Sequence, residues 1–142
     1  MKFDLLTIFP ESLDSYFDSS IIKKARDKKL IDIKTHDIRN QTTDKRRTVD
    51  DTPYGGGPGM VLQIAPVYKT LKKIYKRKSK STRVILLSPR GQTLTQNKVK
   101  ELSKYKRLIL IAGHYEAIDA RIDNFVDEKI SLGNFVMTGG EL

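Results

Sequence analysis

The sequence predicts a single α/β domain built around a parallel sheet. Three observations carry that prediction. Short apolar runs at residues 3–9, 83–88 and 107–112 have the composition of strands covered on both faces. Segments with helical spacing separate them. The 142-residue chain is sized for one domain with a moderate core, and it contains no repeat, low-complexity tract or interdomain linker.

Residues 3–9 (FDLLTIF) form the first strand. Pro10 suits a first helical turn, and Leu13, Phe17 and Ile21 follow at helical spacing, with Ser19 or Ser20 able to cap a second helical piece. Residues 31–38 (IDIKTHDI) partly alternate and predict a second strand. Residues 39–59 show no period. A connection that long, against the usual roughly four to six residues, marks a functional or mobile segment. Residues 66–77 predict a helix whose apolar stripe is Val67, Leu71, Ile74 and Tyr75. Residues 83–88 (RVILLS) are a buried strand. Thr95 caps a helix running to Tyr105, with Val99 and Leu102 inward. Residues 107–112 (RLILIA) repeat the buried-strand pattern. The final segment, KISLGNFVMTGGEL, is a short apolar stretch interrupted at Gly133 and ended by Gly139-Gly140.

The net charge of +10 favours a polyanionic partner, and nucleic acid is the commonest. The charge is uneven. Lys69, Lys72, Lys73, Lys76, Arg77, Lys78, Lys80 and Arg83 follow one another without an intervening acid, which suits a phosphate-contacting surface better than a mixed solvated face. With no cysteine, disulfides and thiolate metal sites are excluded, and a reducing cytoplasm fits. The N-terminal apolar run is broken by Asp4 and stopped by Pro10, too short for a signal peptide or a membrane helix.

Ligands of an open α/β sheet bind beyond the carboxyl ends of its strands. Three candidate loops lie there: Ser88-Pro89-Arg90-Gly91, Gly113-His114-Tyr115-Glu116 and Gly133-Asn134. The stretch RRTVDDTPYGGGPGM (residues 46–60) fails the Walker pattern, since Met60 stands where Gly-Lys-Ser/Thr is required, and it fails the dinucleotide fingerprint. Arg46 and Arg47 can grip phosphates, and Asp50 and Asp51 can accept hydrogen bonds from base edges. A merely flexible charged loop remains the alternative. His36 and His114 make no metal signature; His36 reads as a strand residue, whereas His114 sits in a candidate loop. No Gly-x-Ser-x-Gly elbow is present.

Taken together, TIFPE, RRTVDDTPYGGGPGM, LLSPRGQTL, LILIAGHYEAIDAR and SLGNFVMTGGEL resemble, in order, the bacterial tRNA (guanine-N1)-methyltransferase family, of the SPOUT class of knotted methyltransferases. The resemblance implies methyl transfer from S-adenosyl-L-methionine to N1 of guanosine 37, immediately 3′ of the tRNA anticodon. It also implies a parallel-sheet SPOUT-type fold with a C-terminal trefoil knot, and a cytoplasmic homodimer with interfacial active sites. Leu87, Ser88 and Pro89 would form one wall of the cofactor pocket, and Gly113, Tyr115 and Glu116 the second. Leu132, Gly133, Asn134, Phe135, Val136, Met137, Gly139 and Gly140 would form the third. A valine at Gly133 would abolish cofactor binding. Arg46, Asp50, Pro58 and Gly59 would bind tRNA and read the guanosine. Phe135 stands where tyrosine is expected, and His114 where arginine is frequent.

Methylation at N1 needs a general base. In the family this is an aspartate downstream of the Gly-Gly-Glu-Leu block, ahead of a small helical tRNA-binding domain, and both fall past Leu142. Glu116 would assist. The expectation for residues 1–142 alone is cofactor binding with poor methyl transfer. The family also suggests a Mg2+ dependence, with no ligand set visible in the sequence. Two rival readings are a non-catalytic basic RNA-binding module and a different nucleotide-binding α/β protein.

Overall fold

A computed structural model describes residues 1–141; Leu142, which closes the Gly-Gly-Glu-Leu block, lies outside the described residues. In chain order, β1 (Lys2–Thr7) precedes a 3-10 turn at Pro10–Leu13, helices α1 (Asp14–Phe17) and α2 (Ser20–Asp27), and β2 (Asp32–Asp37). A 3-10 turn at Ile38–Gln41 leads to β3 (Asp50–Asp51), β4 (Val61–Leu62) and helix α3 (Ile64–Ile74). Then come β5 (Thr82–Thr93), helix α4 (Gln96–Leu102), β6 (Arg107–Ala112), β7 (Ala117–Ile118), a 3-10 turn at Ala120–Phe125, and β8 (Glu128–Ser131).

The apolar runs are continuous because both faces of the sheet they build are covered. β2-β1-β6-β5-β8 form a five-stranded sheet, and every neighbouring pair is parallel. Alternate residues along a strand point to opposite faces. Val84, Leu86, Ile109 and Ile111 therefore join Leu62, Val67 and Leu71 in one core, whereas Ile85, Leu108 and Ile130 join Leu102 in another. Each fully buried aliphatic side chain contributes about 1.5–3 kcal/mol. Thr95 caps α4 as expected, its hydroxyl accepting the Lys98 N–H at 3.3 Å.

Several expectations need correction. The helical stripe Leu13, Phe17 and Ile21 does not pack on the sheet: none of the first three helical pieces buries a residue, and Ile21 is 74% exposed. Ser20 adopts φ +46°, a left-handed kink between α1 and α2 that breaks the common face. The hydroxyl of Ser19 donates to Tyr16 O rather than capping α2. In α4, Val99 faces outward and Lys98 is buried instead, its Nζ 3.0 Å from Glu101 and 2.5 Å from Glu128. α3 begins earlier than expected and ends at Ile74; Tyr75 leaves the helix, and its hydroxyl accepts the Ser79 N–H at 2.7 Å.

Residues 39–59 are not structureless. Val49 is fully buried there, and β3 pairs antiparallel with β4, which pairs parallel with β7 in a second sheet. Strands of two residues carry no readable alternation, so no periodicity could have announced them.

Two carboxylates, Asp4 buried and Glu128 largely so, tie neighbouring elements together. Asp4 receives His36 Nε2 at 2.6 Å and Arg107 Nε at 2.7 Å, while Glu128 is 2.7 Å from Arg83 and 2.5 Å from Lys98. Burial pushes both carboxyls up, but the hydrogen bonds from these partners outweigh it and hold both below the usual carboxylate range. Their contribution is therefore present above the unfolded-state value of about 4 and is lost as pH falls through the lower folded-state value. Urea midpoints are expected to drop steadily below about pH 4. Asp4→Asn should lower stability at pH 7 by about 3 kcal/mol, the low end for breaking a buried pair because Arg107 is partly exposed, and should flatten the acid slope. A variant keeping the wild-type slope would remove Asp4 from this account.

Candidate functional site

Three loops meet beyond the carboxyl ends of β5, β6 and β8. β5 runs through Leu87, swings out at Ser88-Pro89-Arg90 and returns to pair with β8 again, so that Ile130 faces first Leu87 and then Gln92. β6 ends at Ala112 and turns through Gly113-His114-Tyr115-Glu116. Tyr115 has φ +60°, a strained value for a bulky residue and one that functional sites collect. The loop after β8 then folds back over the other two. The Gly140 N–H donates to Gly113 O at 2.9 Å, and His114 and Gly139 form an antiparallel bridge.

These loops enclose an open cleft of about 170 Å3, space for about ten waters or a small ligand. Leu87, Ser88, Pro89, Gly113, Tyr115 and Glu116 line it, as do Leu132, Phe135, Val136, Met137, Gly139 and Gly140. Gly133 and Asn134 do not; a Cβ on Gly133 would meet the Phe135 ring, with Cζ 2.8 Å away. Gly140 is wedged between strand ends, where a Cβ would stand 3.0 Å from Leu87 Cβ and 3.2 Å from Ala112 Cα.

The loop of residues 46–60 abuts this cleft at Glu116. Gly59 has φ +89°, and a Cβ there would lie 2.8 Å from Glu116 Oε1; the Glu116 N–H donates to Met60 O at 3.1 Å. Arg46, Asp50 and Pro58 lie outside the cleft lining. The paired residues of this loop separate by role. Arg47 donates to Asp37 at 2.6 Å and to Asn40 at 2.8 Å, and Asp51 accepts the Thr52 N–H at 2.8 Å. The side chains of Arg46 and Asp50 have no such partner among the described residues, which leaves them available to a ligand.

His114 is turned inward, its ring edge-on to Phe9 at 4.9 Å and to Tyr115 at 5.1 Å. Its Nδ1 is buried without a hydrogen bond among the described residues, 3.7 Å from Glu141 Oε2, and Glu141 in turn accepts the Thr7 hydroxyl at 2.6 Å. The glutamate of the Gly-Gly-Glu-Leu block thus latches the third loop to β1, a role its sequence context did not announce. The 3-10 turn at Ala120–Phe125 also went unread, although it supplies Ala120, Ile122 and Asp123 to the cleft. Its signal is Asp119, whose carboxylate accepts the Arg121 N–H at 2.9 Å in an Asx turn. Hydrogen bonds from Arg121 hold Asp119 below the usual carboxylate range. Among the described residues no cluster of three His, Cys, Asp or Glu is placed to hold a metal ion, and no helix is long and apolar enough to cross a membrane.

The family profile described as tRNA (Guanine-1)-methyltransferase TrmD matches residues 1–142. This chain belongs to that family. A relative named tRNA (guanine-N(1)-)-methyltransferase from Dictyoglomus turgidum is 48% identical over 142 residues, covering 100% of this chain and 57% of its own length. Relatives of the same name from Dehalococcoides mccartyi and Clostridium novyi are 46% and 49% identical, again over 100% of this chain and 58% of theirs. The chain therefore spans 57–58% of the length of these TrmD relatives. Every block that carries the resemblance, the cleft loops and residues 46–60 included, falls inside the matched span.

Proposed function

We propose that this chain binds S-adenosyl-L-methionine in the cleft and forms part of an enzyme that methylates N1 of guanosine 37, 3′ of the tRNA anticodon. One observation carries the reading: three strand-end loops share a single cleft, next to a glycine-rich loop with an available arginine and aspartate, in a member of a methyltransferase family.

The lining fits an adenosyl group. Leu87, Ile130, Leu132, Val136 and Met137 offer apolar contact. Gly139 and Gly140, where a Cβ would strike His114, Glu141 or Leu87, let the third loop's main chain pack tightly along the cleft, where it can face a flat ring. When bound, the cofactor supplies an activated methyl group. The residues of this chain contribute positioning, worth up to roughly 7–11 kcal/mol in favourable cases. Ser88-Pro89 and Gly113-Tyr115 hold two sides, and the segment from Leu132 to Gly140 closes the third. Arg46 grips phosphate, Asp50 accepts from the guanine edge, and Pro58 and Gly59 let the base approach. Glu116 stands where the two loops touch and assists the departure of the N1 proton. Asp123 is less suited, being held by Lys129 at 2.7 Å.

We propose further that the protein is a cytoplasmic homodimer with interfacial active sites and a C-terminal trefoil knot. The exposed apolar rim of the cleft supports the first, since Phe135 and Val136 are 58% and 84% exposed. The seating of Gly140 between the ends of β5 and β6 supports the second.

Titration calorimetry with S-adenosylmethionine, S-adenosylhomocysteine, ATP and NAD tests the central claim. The first two are expected to bind and the last two not. Preference for ATP or NAD would instead assign the cleft to another nucleotide. Affinity for RNA with none for any of the four would leave a non-catalytic RNA-binding module.

A further inference from the structure

α3 buries Pro66, Val67, Thr70 and Leu71 and turns Lys69, Lys72 and Lys73 to solvent; Lys76, Arg77, Lys78 and Lys80 continue the exposed series. Lys78 pairs with Asp127 at 3.1 Å and Arg83 with Glu128 at 2.7 Å. Lys69, Lys72, Lys73, Lys76, Arg77 and Lys80 have no acidic partner among the described residues. Lysines three and four positions apart on one helix face repel one another, so this stripe is destabilising unless an anion covers it. It is also held firmly: Lys72 Nζ lies 5.6 Å over the Tyr68 ring, which packs against Phe125 at 4.5 Å.

Its direction matters. α3 starts directly after β4, whose partner β7 adjoins the second cleft loop. It ends where Ile74 O accepts Arg107 Nη1 at 3.1 Å, at the opposite end of the sheet. Eleven helical residues span about 16 Å, and the lysines beyond Ile74 extend the stripe further. The cleft itself handles one nucleotide.

We propose that the outer face of α3, with the loop following it, is a second RNA-binding surface, which takes the phosphate backbone of a stem adjoining the nucleotide at the cleft without reading sequence. This rests on the reading of an RNA substrate. Five ammonium charges on flexible stems and the one guanidinium of Arg77, with neither base-reading amides nor exposed aromatics among them, suit phosphate rather than base contact.

The test compares two variants of this chain for binding a labelled, unmodified tRNA transcript between about 50 and 200 mM salt. Replacing Lys69, Lys72, Lys73 and Lys76 together by Gln keeps helix propensity, and relief of repulsion offsets loss of the Lys72–Tyr68 contact, so thermal stability should change little. If each lysine meets one phosphate, the slope of log K against log salt should shrink by about 3, with low-salt affinity down by about 10- to 100-fold. Affinity for S-adenosylhomocysteine should not change. Arg46→Ala is the control in the other loop. If Arg46→Ala weakens binding and the quadruple variant keeps the wild-type slope, the second surface is wrong while the substrate reading stands. If neither change affects tRNA, both fall. Loss of binding to anionic phospholipid vesicles with an unchanged tRNA slope would also overturn the proposal.

Discussion

Gly91→Ala is expected to lower the unfolding free energy by about 3 kcal/mol or more, the upper end for overpacking. A Cβ at this position would lie 2.5 Å from Ile130 N and 2.6 Å from Ile130 C and Lys129 C. All three are main-chain atoms of β8, so no side chain can rotate aside. Relief requires either losing the pairs Gln92↔Ile130 and Thr93↔Ser131 or lifting β8 from Leu87. Both routes separate two walls of the cleft, because Ser88-Pro89-Arg90 and the segment after Ser131 are anchored by that crossing. Gly55→Ala is the matched control: nothing lies within 4 Å of its Cβ position, so stability should stay within about 0.5 kcal/mol of wild type. The measurement is the urea midpoint of each variant. Equal midpoints for the two would mean the crossing at Gly91 relaxes more easily than its geometry implies.

Gly91 also shows where sequence reasoning reaches and where it stops. Residues 31–38 contain β2, legible from partial alternation, whereas residues 107–112, which coincide with β6, and residues 83–88, which fall within β5, were legible because burial covers both of their faces. Val67 and Leu71 lie inward, as their helical spacing implies. The second pairing of β5 was invisible, since PRGQT has no apolar signature and its register depends on a close backbone approach rather than on side-chain pattern. Ile21 misled because its spacing fits a helix whose face is turned away by the kink at Ser20. Val99 misled in the other direction: its neighbour Lys98 takes the inward place because two carboxylates meet its ammonium, Glu101 from its own helix and Glu128 from β8. At the cleft, the residues flanking strand ends were readable as loops, because glycine and proline punctuate them. That Glu141 would latch to Thr7 was not readable, since the two are separated by nearly the whole chain.

Gly140→Val is expected to weaken S-adenosylhomocysteine binding by about 100-fold or more, equivalent to about 2.8 kcal/mol. The position is confined on three sides, with Leu87 Cβ, Ala112 Cα and Gly113 N within 3.0 to 3.4 Å of a single added carbon. Valine adds two further methyl groups, so the segment must back out from between the ends of β5 and β6. The Gly140 N–H bond to Gly113 O and the His114–Gly139 bridge would go with it. Leu87 packs against the second core cluster and Ala112 is fully buried, so the melting temperature should fall too as the cleft loses its third wall. Binding is therefore compared at a temperature where the variant stays folded. Gly133→Val makes the instructive contrast. The sequence reading places its damage at the adenine approach, but the three atoms nearest its Cβ would all belong to the Phe135 ring, an exposed side chain free to swing toward solvent. Its loss of affinity should therefore be the smaller of the two, on the order of 10-fold. Calorimetry on both variants decides the matter: a greater loss at Gly133 than at Gly140 would mean that the third loop grips its ligand through residues 133–135 and not through the wedge at the strand ends.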